Sequence, residues 1–152
     1  QGDRAVFNII DSTISINGSY SGFDIDASDI PDLVPVLTVL ACFAEGTSHI
    51  RGCKRLRIKE SDRLVSISTV LNSLGADVRI VNDELEINGV KELSGGVCSS
   101  FNDHRIAMSL AVASQRCTSP LTITGAECVA KSYPTFFEDF RALGGEYDVV
   151  IV

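Results

Sequence analysis

Tryptophan is absent from the 152 residues, methionine occurs once and histidine only twice. No Cys-x-x-Cys pair occurs, and the five cysteines, Cys42, Cys53, Cys98, Cys117 and Cys128, are widely spaced. With only His49 and His104 to join them, a metal site is poorly supported and none is expected. The odd number of cysteines and the apolar surroundings of several of them read instead as buried, reduced thiols of a cytoplasmic protein. No apolar run approaches the length of a membrane span, and no signal peptide is visible. A long basic stripe is missing too. Thirteen Lys and Arg face 20 Asp and Glu, a formal net charge of −7, which argues against nucleic acid as a partner. An anionic ligand would need cations concentrated locally against that repulsive field.

What is present is the composition of a globular chain, 45% hydrophobic and 22% charged, long enough to bury one core. The first residues, Gln1-Gly2-Asp3-Arg4, contain no initiating Met and read as the middle of a domain, so a piece of a longer protein is expected. The stretch Arg55-Leu56-Arg57-Ile58-Lys59-Glu60-Ser61-Asp62-Arg63-Leu64 reads as a loop entering a helix. Ser61 or Asp62 is its N-cap, and Leu64, Ile67, Leu71 and Leu74 follow at helical spacing. Lys59 and Arg63 then lie at the positive end of a helix dipole, where cations are misplaced unless an anion is to be held there. The alternative is ordinary surface pairing of Glu60 with Arg63 and of Lys59 with Asp62.

Along the chain, residues 5–10 and 13–16 form a β-rich hairpin across Asp11-Ser12, and residues 18–22 a turn. Residues 23–27 alternate as a half-buried strand. Asp29-Ile30-Pro31-Asp32 opens a helix with Asp29 as cap and Pro31 in the first turn; residues 33–44 are apolar nearly all round, which predicts deep burial, and Gly46 ends it. Thr47 to Arg51 is a strand, and Asp77 to Val81 with Glu84 to Ile87 a hairpin across Asn82-Asp83. In the second half Val97 to Phe101 is a strand, Asn102-Asp103 caps a helix to about Gln115, and Leu121 to Thr124 is a strand. Lys131-Ser132-Tyr133-Pro134 opens a helix with Phe136, Phe137, Phe140 and Leu143 on its apolar side, and Tyr147 to Val152 is a last strand.

The halves correspond: Asp32 matches Asp103, Lys59 matches Lys131, and Leu74-Gly75-Ala76 matches Leu143-Gly144-Gly145, each about 70 residues further on. The expected architecture is α/β, one domain of repeated β-α-β-α-β-β units packed around buried helices, incomplete. Residues 1–21 are the tail of a preceding unit, 22–90 the first unit and 91–152 the second. Polar residues of unusual type stand at all four helix starts: Asp32; Lys59, Glu60 and Arg63; His104 and Arg105; Lys131. If the four starts share one end of the domain, four cations gather there as a dense anion site.

Asp29-Ile30-Pro31-Asp32, Leu56-Arg57-Ile58-Lys59-Glu60-Ser61-Asp62-Arg63-Leu64, Asn102-Asp103-His104-Arg105-Ile106-Ala107-Met108 and Lys131-Ser132-Tyr133-Pro134 with Phe137-Glu138 stand in the order of a known family. From about residue 22 onward the chain resembles the C-terminal part of the 5-enolpyruvylshikimate-3-phosphate synthases. The resemblance implies an enolpyruvyl transferase-like fold, an inside-out α/β barrel of two similar domains, each of three units, with helix N-termini facing the cleft between them. It implies a cytoplasmic, monomeric parent enzyme of chorismate and aromatic amino acid biosynthesis. That enzyme moves the enolpyruvyl group of phosphoenolpyruvate to the 5-hydroxyl of shikimate 3-phosphate, without cofactor or metal. The partner of this chain would be the N-terminal domain of the same protein, and this chain by itself would be inactive.

By the same resemblance Asp32 is the base at the 5-hydroxyl, with Lys59 at the same oxygen, and both bind shikimate 3-phosphate. Glu60 gives and takes the proton at the methylene carbon. Arg63, Arg105 and Lys131 clamp phosphoenolpyruvate, and His104 supports the site. Such forked and point cations suit carboxylate and phosphate oxygens. Asp32, beside cations and a helix start, should have a lowered pKa, so its proton abstraction is expected to be coupled to attack. Two rivals are the related UDP-N-acetylglucosamine enolpyruvyl transferases, which lack the Lys-Glu-Ser-Asp-Arg signature, and a non-catalytic module binding phosphorylated metabolites. The second is opposed by the carboxylates Asp32 and Glu60, which a mere anion binder does not need.

Overall fold

Hairpins and parallel crossovers alternate along this α/β chain, whose computed structural model describes residues 6–10 and 13–150. β1 (Val6–Ile10) and β2 (Thr13–Asn17) pair antiparallel as the β-rich runs suggest, while Asp11-Ser12 between them lies outside the described residues. β3 (Asp24–Asp26) crosses through α1 (Val34–Cys42) to β4 (Thr47–Arg51), which lies parallel to it with Asp24 opposite His49. A 3-10 turn, Cys53–Ile58, leads to α2 (Arg63–Ser73) and then to the hairpin β5 (Asp77–Val81) and β6 (Glu84–Asn88). At its turn Asn82 and Asp83 take φ of 51° and 61°, the left-handed pair that a tight two-residue hairpin demands and that Asn and Asp tolerate. The four strands form one sheet in the order β3-β4-β6-β5.

The second half retraces the order. β7 (Gly96–Ser99) crosses through α3 (His104–Ser114) to the parallel β8 (Leu121–Thr124), a 3-10 turn Ala126–Lys131 follows, and α4 (Phe136–Ala142) comes last. Gly52 and Gly125 hold the same left-handed conformation, φ 70° and ψ 25°, at the entrance to the two long 3-10 turns. α1 packs on α3, α2 lies against β5, and the inward residues Ser48, Ile50, Val78, Leu85 and Ile87 of the sheet close over them. Leu56, Leu64, Ile67, Leu71, Ile106 and Leu110 are fully buried between these layers. α1, α2 and α3 thus line the core, and the four-stranded sheet covers it from one side.

Several expectations need correction. Asp29 is not a cap: the chain first makes a 3-10 turn, Pro31–Leu33, that starts from Ile30 without any side-chain cap, and α1 begins only at Val34. α1 is not buried all round, because α3 and the sheet cover two sides of it and Leu33, Val36 and Leu40 remain 45%, 38% and 45% exposed. β7 stops at Ser99 because Phe101 and Asn102 turn to positive φ. α4 starts five residues after Lys131, since Pro134 disfavours helical backbone at Tyr133. Its Phe136 stacks on Phe140 and meets Phe137 edge-on, but Leu143 is 90% exposed. Residues 147–150 are irregular rather than a strand, and 151–152 lie outside the described residues. A strand in the place of β5 pairs only with a counterpart of β6, and the described residues of the second half contain none.

Candidate active site

α2 and α3 start side by side, each capped by an aspartate. Asp62 accepts from the Val65 N–H, and Asp103 accepts from the Arg105 N–H at 2.9 Å. Arg63, the first residue of α2, is a cation at the positive end of a dipole, with its side chain only 1% exposed. Burying such a charge requires partners with good geometry. Three carboxylates supply them. Nε donates to Asp103 Oδ2 at 2.8 Å and Nη2 to Asp103 Oδ1 at 3.2 Å; Nη1 donates to Asp32 Oδ1 at 2.7 Å and Nη2 to Glu60 Oε2 at 2.5 Å. Lys59 Nζ lies 3.1 Å from Asp32 Oδ1, and Arg105 Nη2 lies 3.8 Å from Asp32 Oδ2. Neither surface pair considered from sequence describes this. Glu60 and Arg63 do meet, but around a buried guanidinium, and Asp62 pairs with Arg57 at 2.9 Å rather than with Lys59.

The cluster has a floor and a rim. Arg63 and the fully buried Asp103 form the floor; Glu60 and Asp32, 40% and 48% exposed, form the rim. Burial pushes the Asp103 carboxyl up, but hydrogen bonds from Arg63, its charge, and donors from Arg105 and Ser61 outweigh that and hold it below the usual carboxylate range. At Asp32 burial likewise works upward, and the hydrogen bonds and charges of Lys59 and Arg63 again win. This is the direction expected from its neighbours. Arg63 itself is held above its ordinary value: burial alone would lower it, and Asp103, Glu60 and Asp32 reverse that.

The structure brings together Asp32, Lys59, Glu60, Arg63, His104 and Arg105. His104 is buried, and its Nδ1 lies 3.9 Å from Glu60 Oε1 without a hydrogen bond; among the described residues, it and Arg105 Nε are the buried side-chain nitrogens without a partner. Lys131 does not join the ion pairs. It donates from Nζ to the Asn102 carbonyl at 2.6 Å, one residue before Asp103. The expected excess of cations is also absent. Lys59, Arg63 and Arg105 face Asp32, Glu60 and Asp103, so an anion reaching the outer edge of Arg63 must displace a carboxylate. Asp103 and Ser61, whose Oγ donates to Asp103 Oδ2 at 3.0 Å, were missed as site residues. The signal available was the correspondence of Asp103 with Asp32 across the two halves.

The chain is similar to known proteins over nearly its whole length. A family model described as EPSP synthase (3-phosphoshikimate 1-carboxyvinyltransferase) matches residues 4–140. A 3-phosphoshikimate 1-carboxyvinyltransferase of Clostridium kluyveri is 51% identical over 97% of this chain and 37% of its own length. The enzyme of that name from Clostridium perfringens is 53% identical over 95% of this chain and 34% of its own length. Among solved structures, an EPSP synthase from Acinetobacter baumannii superposes with a TM-score of 0.81 at 30% identity, covering 99% of this chain and 37% of that one. The chain therefore spans little more than a third of the length of the relatives it matches.

Proposed function

This chain belongs to the EPSP synthase (3-phosphoshikimate 1-carboxyvinyltransferase) family, and on that premise we propose that it supplies one wall of an enolpyruvyl-transfer site. The reaction moves the enolpyruvyl group of phosphoenolpyruvate to the 5-hydroxyl of shikimate 3-phosphate and releases phosphate. The observation that carries the reading is the meeting of Asp32 and Glu60, from separate stretches of the chain, on the Arg63 guanidinium, with Lys59 on the same Asp32 oxygen. We assign residues 22–90 and 91–152 to two copies of one unit and 1–21 to the tail of another, supported by the recurring β-α-β-α order and the matching Gly52 and Gly125 turns. A cytoplasmic location is supported by the five unpaired cysteines, four of them buried, with burial pushing Cys42 up to about 12 and Cys53 up to about 11.

In the addition step Asp32 takes the proton of the 5-hydroxyl as that oxygen bonds to the central carbon of phosphoenolpyruvate, and Glu60 protonates the methylene carbon. The product is a tetrahedral intermediate. In the elimination step the bond from that carbon to the phosphate oxygen breaks, the phosphate leaves with the electron pair and takes up the proton held by Asp32, and Glu60 takes a proton back from the new methyl group as the double bond re-forms. Lys59 holds the 5-oxygen beside Asp32, and the lowered pKa of Asp32 requires that proton transfer and attack run together. Arg63, Arg105 and Lys131 hold the carboxylate and phosphate, with cations preorganised where charge accumulates on the leaving group. His104, close to Glu60, supports the proton-shuttling carboxylate.

The test is phosphate release by the full-length protein. Glu60→Gln keeps the shape of the side chain and removes its proton chemistry, and is expected to lower kcat by about 10²- to 10⁴-fold with little change in substrate affinity. Undiminished turnover by that variant would remove Glu60 from the mechanism. Protection by shikimate 3-phosphate rather than UDP-N-acetylglucosamine against proteolysis separates this reading from the sugar-nucleotide transferases.

A further inference from the structure

The three carboxylates around Arg63 are not equivalent. Asp103 meets the guanidinium side-on through Nε and Nη2 from the buried side, and Asp32 and Glu60 meet its two Nη atoms from the exposed side. Asp103 Oδ2 also accepts from Ser61 Oγ, and Oδ1 from the Arg105 N–H. An ionised carboxylate has about four acceptor positions, and here all are used by donors that are themselves part of α2, α3 and the loop before α2. Asp32 and Glu60 are half-exposed, so their remaining lone pairs are open to solvent. An arriving anion can displace these two, since solvent can take up the carboxylates that let go; it cannot displace Asp103 without leaving a desolvated carboxylate behind.

We infer that Asp103 is the positioning residue of this site: it fixes the plane of the Arg63 guanidinium, and remains its partner when Asp32 and Glu60 yield the outer edge to a substrate anion. The inference rests on the enolpyruvyl-transfer reading only for the identity of that anion. One consequence links binding to chemistry. The exchange that seats phosphoenolpyruvate on Arg63 also releases Glu60 from its guanidinium partner and leaves Asp32 paired with Lys59 and Arg105 alone. The clamp joins the two halves of the chain, since Arg63 opens α2 and Asp103 caps α3.

Asp103→Asn separates the clamp from the cap. Asn caps a helix as well as Asp does, so α3 keeps its N-terminus, while the charge is lost and an NH₂ group is brought against the Arg63 donors. In the full-length protein, KM for phosphoenolpyruvate is expected to rise about 10- to 100-fold, with KM for shikimate 3-phosphate unchanged. Added to Arg63→Lys, the same change should cost nothing more, because both act through one guanidinium. A purely structural role would lower the active fraction, and so kcat, and leave both KM values alone; that result, or losses that multiply in the double variant, overturns the inference. Should the variant not fold, the unmodified protein still decides. The Arg63 Nε–H proton, read by nitrogen-15 NMR, should stay protected from exchange when shikimate 3-phosphate and phosphoenolpyruvate saturate the site, and loss of its protection overturns the clamp. If the unmodified protein releases no phosphate, the enolpyruvyl-transfer reading falls instead. The Nε–H test then proceeds with inorganic phosphate as the probe and carries the same two outcomes.

Discussion

Arg63 and Asp103 pair opposite charges with their side chains almost fully buried, and two predictions follow from that pair. Removing one member leaves the other uncompensated, so Arg63→Ala should lower the unfolding free energy by about 3–5 kcal/mol at pH 7, read from urea denaturation. The pH dependence has a definite sign. Asp103 and Asp32 are held below their unfolded value of about 3.9, so the unfolded chain takes up protons more readily. Their stabilisation is present in full above that value and is lost as pH falls through the lower folded values. The gap between the unmodified chain and Arg63→Ala should therefore narrow as denaturation is repeated below about pH 4. At this scale the site was largely legible. Asp32, Lys59, Glu60, Arg63, His104 and Arg105 were all named from their places at helix starts, and they lie together. Asp103 was legible as a cap and as the counterpart of Asp32, but not as a partner of Arg63. A capping aspartate is adequately explained by the N–H groups it accepts, and nothing local announces that a guanidinium about 40 residues away needs the same carboxylate.

Among the elements, α2 and α3 begin where their capping aspartates predict, and the β5–β6 hairpin turns at the Asn-Asp pair. α2 also shows what capping contributes beyond its own turn. Asp62 accepts from Val65 N–H and from Arg57 Nη1, tying the 3-10 turn that ends just before Lys59 to the helix that carries Arg63. Asp62→Ala should cost about 0.5–2 kcal/mol of stability in urea denaturation, a smaller loss than Arg63→Ala. The misread elements fail for a common reason. α1 and α4 each have helical periodicity, but a 3-10 turn precedes the first, and a second 3-10 turn followed by Pro134 delays the other. Apolar spacing near 3.6 does not distinguish the two helix types over one turn. Residues 147–150 have strand composition and no ladder to join, which is a fact about neighbours rather than about propensity.

For the molecule as a whole, charge balance and partial coverage of the relatives matter most. The chain holds three cations and three carboxylates at the site, and spans 37% of the Clostridium kluyveri relative. One wall of a cleft neither excludes water nor grips a substrate from both sides. The chain by itself should release no phosphate from shikimate 3-phosphate and phosphoenolpyruvate in a coupled phosphate assay. Release at the rate of the full-length protein would show that this wall suffices.

By itself the sequence determined the local matters: the order of strands and helices, the caps at Asp62 and Asp103, the family signatures, and the identity of the charged residues at helix starts. These depend on contacts a few residues apart, where periodicity, capping and turn chemistry act. The tertiary structure alone decided that the starts of α2 and α3 meet the turn carrying Asp32, that Arg63 is the buried hub, that Lys131 bonds the Asn102 carbonyl rather than a carboxylate, and that three carboxylates face Lys59, Arg63 and Arg105. Which carboxylate neutralises which cation is settled by burial and distance between segments remote in the chain, and no local pattern encodes either.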